Sequence, residues 1–189
     1  LVAAEAADVT GEEALTAFVA GFETECYLAA PISPGHYEAG WHATATFGAF
    51  GAAAATAKVL GLTAAETREA LNVAASTPAG LKRNFGSMTK PMHVGQAARS
   101  GLTAARLAAQ GFTADEAAIG GDRGFLDLYG DPNLDAFPAL GSRWALRQDG
   151  VHVKKYPCCY YTHTTIAGVV DAVTADDIAP ADVAGIAVS

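Results

Sequence analysis

Apolar and polar positions recur with helical spacing over most of this chain, and the polar residues between the apolar runs mark where helices begin. Thr10 with Glu13, Thr63 with Glu66 and Thr113 with Glu116 share one spacing. It lets a hydroxyl accept from a backbone N–H while the carboxylate reaches back to the start of the helix. The pattern predicts helices at about 10–29, 44–60, 63–79, 91–110 and 161–174, with a shorter one near 114–119. Gly61, Gly80 and Gly111 fall just past three of them, where a left-handed residue suits a helix end. The helix from Thr44 is rich in Ala and contains Gly48 and Gly51, which lowers its propensity but admits a neighbouring backbone. It is expected to lie buried at the centre. Arg143 to Tyr156 alternates apolar and polar residues around Gln148-Asp149-Gly150, a pattern that predicts a short β-hairpin. The first residues, from Leu1, resemble the last turns of a helix already under way, and Gly185 to Ser189 resembles a strand. The chain is therefore expected to be an interior fragment.

Composition supports a folded domain: of 189 residues 51% are hydrophobic and 17% charged, enough to bury a sizeable core. Cys26, Cys158 and Cys159 make an odd count with two adjacent, which fits a reducing cytoplasm better than a disulfide framework. The uncharged run from Ala43 to Ala57 is dominated by Ala, Gly and Thr, and Lys58 closes it. It is too short and too weakly apolar for a membrane span.

Charge changes the picture more. The net charge is -8, yet from Ala70 to Ala114 there are five Lys or Arg and no Asp or Glu. From Ala39 to Ala114 the acids are Glu66 and Glu69 alone, and the other eighteen of the twenty lie towards the ends. Cations without countercharges raise the local potential. A cationic pocket in an acidic body suits a small anionic substrate and excludes nucleic acid, whose backbone the body would repel.

The candidate chemistry gathers at helix starts. His42 precedes the helix beginning near Thr44, Lys90 precedes Pro91, and Lys154-Lys155 precede the helix near Tyr161. Helix N-termini offer unpaired N–H donors and a partial positive charge, so they bind carboxylates and disfavour cations. Three cations in the disfavoured place point to anion binding at the expense of stability. Each also has a structural reading. His42 could be an ordinary loop histidine beside Trp41, and Lys90 a solvated surface lysine. Lys154 and Lys155 would point to opposite sides of a strand. His93, one turn into its helix, also suits a core position, and Lys82 and Arg83 suit the cap of the helix ending near Gly80.

Other site classes have less support. No HExxH occurs, and Cys159 with His163 supplies two possible metal ligands, so no metal site and no cofactor are expected. Cys158 and Cys159 lie near Lys154 and His163, but nothing marks either as an activated nucleophile. Gly120-Gly121-Asp122-Arg123-Gly124 is a flexible connection and no phosphate loop.

Three blocks of sequence carry a family resemblance. They are Gly40-Trp41-His42-Ala43-Thr44-Ala45-Thr46 with Phe47-Gly48-Ala49-Phe50-Gly51, then Asn84-Phe85-Gly86-Ser87-Met88-Thr89-Lys90-Pro91-Met92-His93-Val94-Gly95, then Lys154-Lys155-Tyr156-Pro157-Cys158-Cys159 with Thr162-His163. In order and spacing they resemble the MmgE/PrpD family, which includes 2-methylcitrate dehydratases, cis-aconitate decarboxylases and an iminodisuccinate epimerase. The resemblance implies a mainly α fold: an Ala-rich helical domain, here with the short β-hairpin and the beginning of a smaller α+β domain. Residues 1–142 are assigned to the helical domain, its N-terminal part missing, and 143–189 to the truncated α+β domain. The resemblance also implies a homodimer, and a metal-independent lyase acting on a small di- or tricarboxylate.

Residue by residue, His42 matches the family's active-site histidine, Lys90 the lysine of its T-K-P motif and Lys154 the lysine ahead of its Y-P block. These three are the expected catalytic residues. Thr89, His93, Lys155, Cys159 and His163 are the expected substrate-binding residues. Where the decarboxylases place a histidine two residues after that proline this chain has Cys159, which speaks against decarboxylase specificity. A 2-methylcitrate dehydratase-like activity in propionate metabolism is the expectation taken from the resemblance. The family's further active-site Asp, Thr and His correspond to a segment upstream of Leu1. The chemistry implied is a carbanion next to a carboxylate, with Lys90 and Lys154 clamping carboxylates and His42 moving a proton. Epimerase, decarboxylase and non-catalytic carboxylate-binding readings stay open at this point.

Overall fold

A computed structural model describes residues 1–137 and 139–188. The chain divides into two compact units, Leu1–Asp149 and Gly150–Ser189.

The first unit is built around three long helices. α1 (Val2–Ala6) leads into α2 (Gly11–Ala29), followed by the short α3 (Gly35–Glu38), and then by α4 (Ala43–Val59), α5 (Ala64–Ala74) and α6 (Thr89–Ala108). The capping boxes at Thr10 and Thr63 form in full: each threonine accepts from the glutamate N–H at 3.2 Å, and each glutamate carboxylate accepts in return at 2.8 Å. Gly61 (φ 64°) and Gly111 (φ 80°) take the left-handed conformation just past α4 and α6.

Helix α4 is the centre, packed by α2 on one side and α6 on another. Small residues make this possible. A Cβ on Gly21 would stand 2.5 Å from the Gly51 carbonyl oxygen, and one on Gly101 would overlap the backbone at Ala49 and Ala53. Where no side chain intervenes, backbones approach to contact and α4 is covered on all sides: Phe50, Ala49, Ala53 and Ala57 are fully buried. Phe47, Phe50, Phe125, Leu28, Ile32 and Leu126 form the main core, where the Phe125 ring meets Phe50 edge-on at 4.7 Å.

Several expectations from the sequence are corrected. The 114–119 segment is a run of turns, because Glu69 of α5 takes the Ala114 N–H at 2.9 Å and Asp115 takes that of Ala117, so Thr113 and Glu116 build no capping box. The chain then runs into α7 (Phe125–Tyr129). α5 stops at Ala74, so Gly80 (φ 124°) belongs to the following loop and not to the helix end. Lys82 accordingly caps a different helix, donating from Nζ to the Tyr37 carbonyl of α3 at 2.9 Å.

The expected β-hairpin at 143–156 does not form. Glu23 of α2 accepts from the N–H groups of Ala145 and Leu146 at 2.8 and 2.9 Å, which closes one helical turn, α8 (Ala145–Gln148). Among the described residues no strand forms at all, and the single β-bridge pairs Trp41 with Leu81. The expected terminal strand is likewise absent over residues 185–188, while Ser189 lies outside the described residues. The second unit contains a 3-10 turn at Tyr160–Thr162 and α9 (His163–Ala175). No helix among the described residues is long and apolar enough to cross a membrane.

Candidate active site

The Trp41–Leu81 bridge fixes the site in the first unit, because it ties the loop before α4 to the loop before α6. His42 N–H donates to the Gly80 carbonyl at 3.0 Å and Lys82 N–H to that of Gly40 at 2.8 Å. His42 is the residue that caps the start of α4, with extended backbone (φ −85°, ψ 92°), but its side chain makes no capping hydrogen bond. The imidazole instead turns towards α6, where its Nδ1 lies 3.2 Å from Nδ1 of His93. Both rings are buried, at 5% and 9% exposure.

Lys90 reaches the same cluster. Its ammonium sits 4.1 Å from the centroid of the Phe85 ring, and His42 meets that ring edge-on at 4.9 Å. Phe85 therefore holds both groups, a role the sequence reading missed although the residue stands in the N-F-G run before the T-K-P motif. Burial first, then the nearby His93 and Lys90, push the His42 imidazole below its ordinary value. A mostly neutral imidazole beside an ammonium is a base next to an anion-binding group. Among the described residues the ion pairs are Arg68–Glu69, Arg123–Asp122 and Arg143–Asp149, and none engages Lys90.

Thr89 opens α6, and its N–H goes to the Ser87 hydroxyl at 3.3 Å. Lys90 thus stands one residue inside α6, and Pro91 occupies the third helical position, where a missing N–H costs no hydrogen bond.

A third buried histidine was not singled out by the sequence reading. His36, 1% exposed, places Nδ1 2.8 Å from the Tyr129 carbonyl and Nε2 2.8 Å from the Thr46 hydroxyl of α4. It braces the first turn of α4 against α7.

The remaining expected residues lie in the second unit. Lys154 donates to the Cys158 carbonyl at 2.7 Å, and the Cys158 thiol lies 3.2 Å from the Thr162 hydroxyl. His163 packs against Tyr156 and Tyr160, with ring centroids at 5.2 and 5.0 Å, and its Nε2 is buried with no hydrogen-bond partner among the described residues. Lys155 lies 5.2 Å from the centroid of the Tyr156 ring, and Cys159 is exposed. Among the described residues no three His, Cys, Asp or Glu side chains gather as a metal would require.

The first unit is therefore a helical domain that carries a buried imidazole pair and an ammonium group at the starts of two packed helices. The chain belongs to the MmgE/PrpD family: residues 1–136 match the MmgE/PrpD N-terminal domain. It is 35% identical over 124 residues to a human cis-aconitate decarboxylase, covering 65% of this chain and 26% of the relative. It is 30% identical over 180 residues to a cis-aconitate decarboxylase of Aspergillus terreus, covering 89% and 36%. A cis-aconitate decarboxylase-like protein of Aspergillus oryzae is 32% identical over 171 residues, covering 84% and 35%. The chain thus spans between a quarter and about a third of the length of these relatives.

Proposed function

We propose that the protein carrying this chain is a lyase acting on a small di- or tricarboxylate through a carbanion-like intermediate. The observation that carries the reading is the meeting of a buried, largely neutral His42 with Lys90 at the starts of α4 and α6. His42 takes the proton from a carbon next to a carboxylate, and the electron pair left behind delocalises into that carboxylate. Lys90 binds the carboxylate and stabilises the growing charge, which fixed cations do best where water is excluded. In a dehydration, the hydroxyl on the neighbouring carbon then leaves with a proton as water and a C=C bond forms. Lys154 enters as a second carboxylate contact on the strength of its motif alone, and Thr89, Lys155, Cys159 and His163 as substrate-binding residues on the same ground. The cytoplasmic location, the homodimer and the division at 142/143 belong to this reading too.

Cys159, in place of the histidine expected of decarboxylases, speaks against decarboxylation, and the reading taken is a dehydratase of the 2-methylcitrate type. A second reading, decarboxylation of cis-aconitate, is favoured by the names of the matched relatives. The test is turnover by the protein at its full natural length on a panel containing 2-methylcitrate, cis-aconitate and iminodisuccinate. Turnover of one substrate is expected, falling about a hundredfold or more in His42→Ala, as loss of a general base commonly does. Undiminished turnover in that variant would remove His42 from the mechanism.

A further inference from the structure

The contact between His42 and His93 joins two nitrogens of the same kind, and it constrains where the protons lie. A neutral imidazole has one N–H and one lone pair, so a 3.2 Å Nδ1 to Nδ1 contact needs one ring protonated at Nδ1 and the other bare there. If His42 is the donor, its Nε2 is left as a lone pair. If it is the acceptor, Nε2 carries the hydrogen and cannot take a proton. His42 Nε2 has no hydrogen-bond partner among the described residues, and it is not one of the fully buried nitrogens that lack one. The same holds for His93 Nε2; of the two, His42 Nε2 is the atom the proposed function offers to a reactant.

Gly80 keeps this geometry in place. Its carbonyl accepts from His42 N–H, while a Cβ there would lie 3.3 Å from His93 Nδ1 and 2.8 Å from the Ala45 Cβ. The φ of 124° is one that side chains rarely adopt. The loop thus brings its backbone against both helices and leaves the two rings facing one another.

We propose that His93 is a positioning residue that accepts the Nδ1–H of His42 and so holds the His42 Nε2 lone pair ready for a proton. The inference rests on the proposed role of His42 and deepens it. When Nε2 takes the proton, the imidazolium keeps its Nδ1–H directed at His93, so the ring does not turn and no buried donor is lost. The charged group facing the pair is Lys90 of α6, which, like His42, packs against the Phe85 ring.

The experiment is 15N NMR of histidine-labelled full-length protein, in which ring-nitrogen shifts separate protonated from bare nitrogens, on wild type, His93→Phe and His93→Gln. At a pH where both rings are neutral, wild-type His42 is expected to be protonated at Nδ1. His93→Phe, which offers no acceptor, is expected to return His42 to the Nε2–H form common in free histidine, with kcat falling about ten- to a hundredfold and KM little changed. His93→Gln, whose amide oxygen can accept, is expected to restore the Nδ1–H form and part of the rate. Wild-type His42 protonated at Nε2, or one tautomer shared by all three proteins, would overturn the inference. Failure here is separable from failure of the proposed function. Full activity in His42→Ala removes the catalytic role whatever the tautomer, whereas a shifted rate in that variant with no response of His42 to His93 removes only the positioning role.

Discussion

His42 and His36 share a depressed basicity with different consequences. Burial lowers both, and for His36 the hydrogen bond to the Tyr129 carbonyl opposes the effect only in part. A histidine whose folded value lies below the ordinary 6.5 binds more protons when unfolded, so stability is complete above that value and declines as pH falls through it towards the folded one. Urea unfolding followed from about pH 7.5 to 5 is therefore expected to show a falling midpoint on acidification. His36→Gln should flatten the fall, because it removes the titrating group and keeps a polar side chain at Thr46. An unchanged slope in that variant would assign the pH dependence elsewhere. At the same scale, His42 was legible as a candidate in its block of sequence, but its contact with His93 was not. Fifty-one residues separate the two rings, and nothing local to either predicts that they touch.

The five main helices were legible as elements because periodicity and capping are local: Thr10 and Thr63 bond to residues three positions on. Two of the elements that failed are capped from afar. Glu69 is 45 residues from Ala114, and Glu23 is 122 from Ala145; each supplies an acceptor that decides the local backbone. The close crossing of α2 and α4 gives a test at this scale. Gly21→Ala gains about 1 kcal/mol of helix propensity, but its Cβ would stand 2.5 Å from the Gly51 carbonyl oxygen and 3.0 Å from the Ala55 Cβ. Overpacking of about 1–3 kcal/mol exceeds that gain, so a net loss is expected in chemical denaturation. Gly95→Ala in α6, with nothing within 4 Å of the added carbon, is expected to stabilise by up to about 1 kcal/mol. Equal effects at the two positions would contradict the backbone contact.

Over the whole molecule, an acidic chain of net charge -8 sets five Lys and Arg between Ala70 and Ala114 with no acid among them. Exposed charges are screened within about 8 Å at physiological ionic strength, so the attraction of an anionic substrate is expected to weaken with added salt. KM should rise while kcat holds, and Lys90→Met should show a shallower rise from a higher starting KM. A salt response identical in wild type and variant would deny Lys90 a part in anion binding.

The sequence by itself determined the helical class, the family and the identity of the candidate groups, since periodicity, capping and motif spacing are properties of neighbours along the chain. Only the tertiary structure decided that His42 faces His93 and shares Phe85 with Lys90, and that the 143–156 segment turns instead of pairing as strands. Those outcomes depend on acceptors and rings brought in from distant helices, whose positions follow from how glycines let the helices pack.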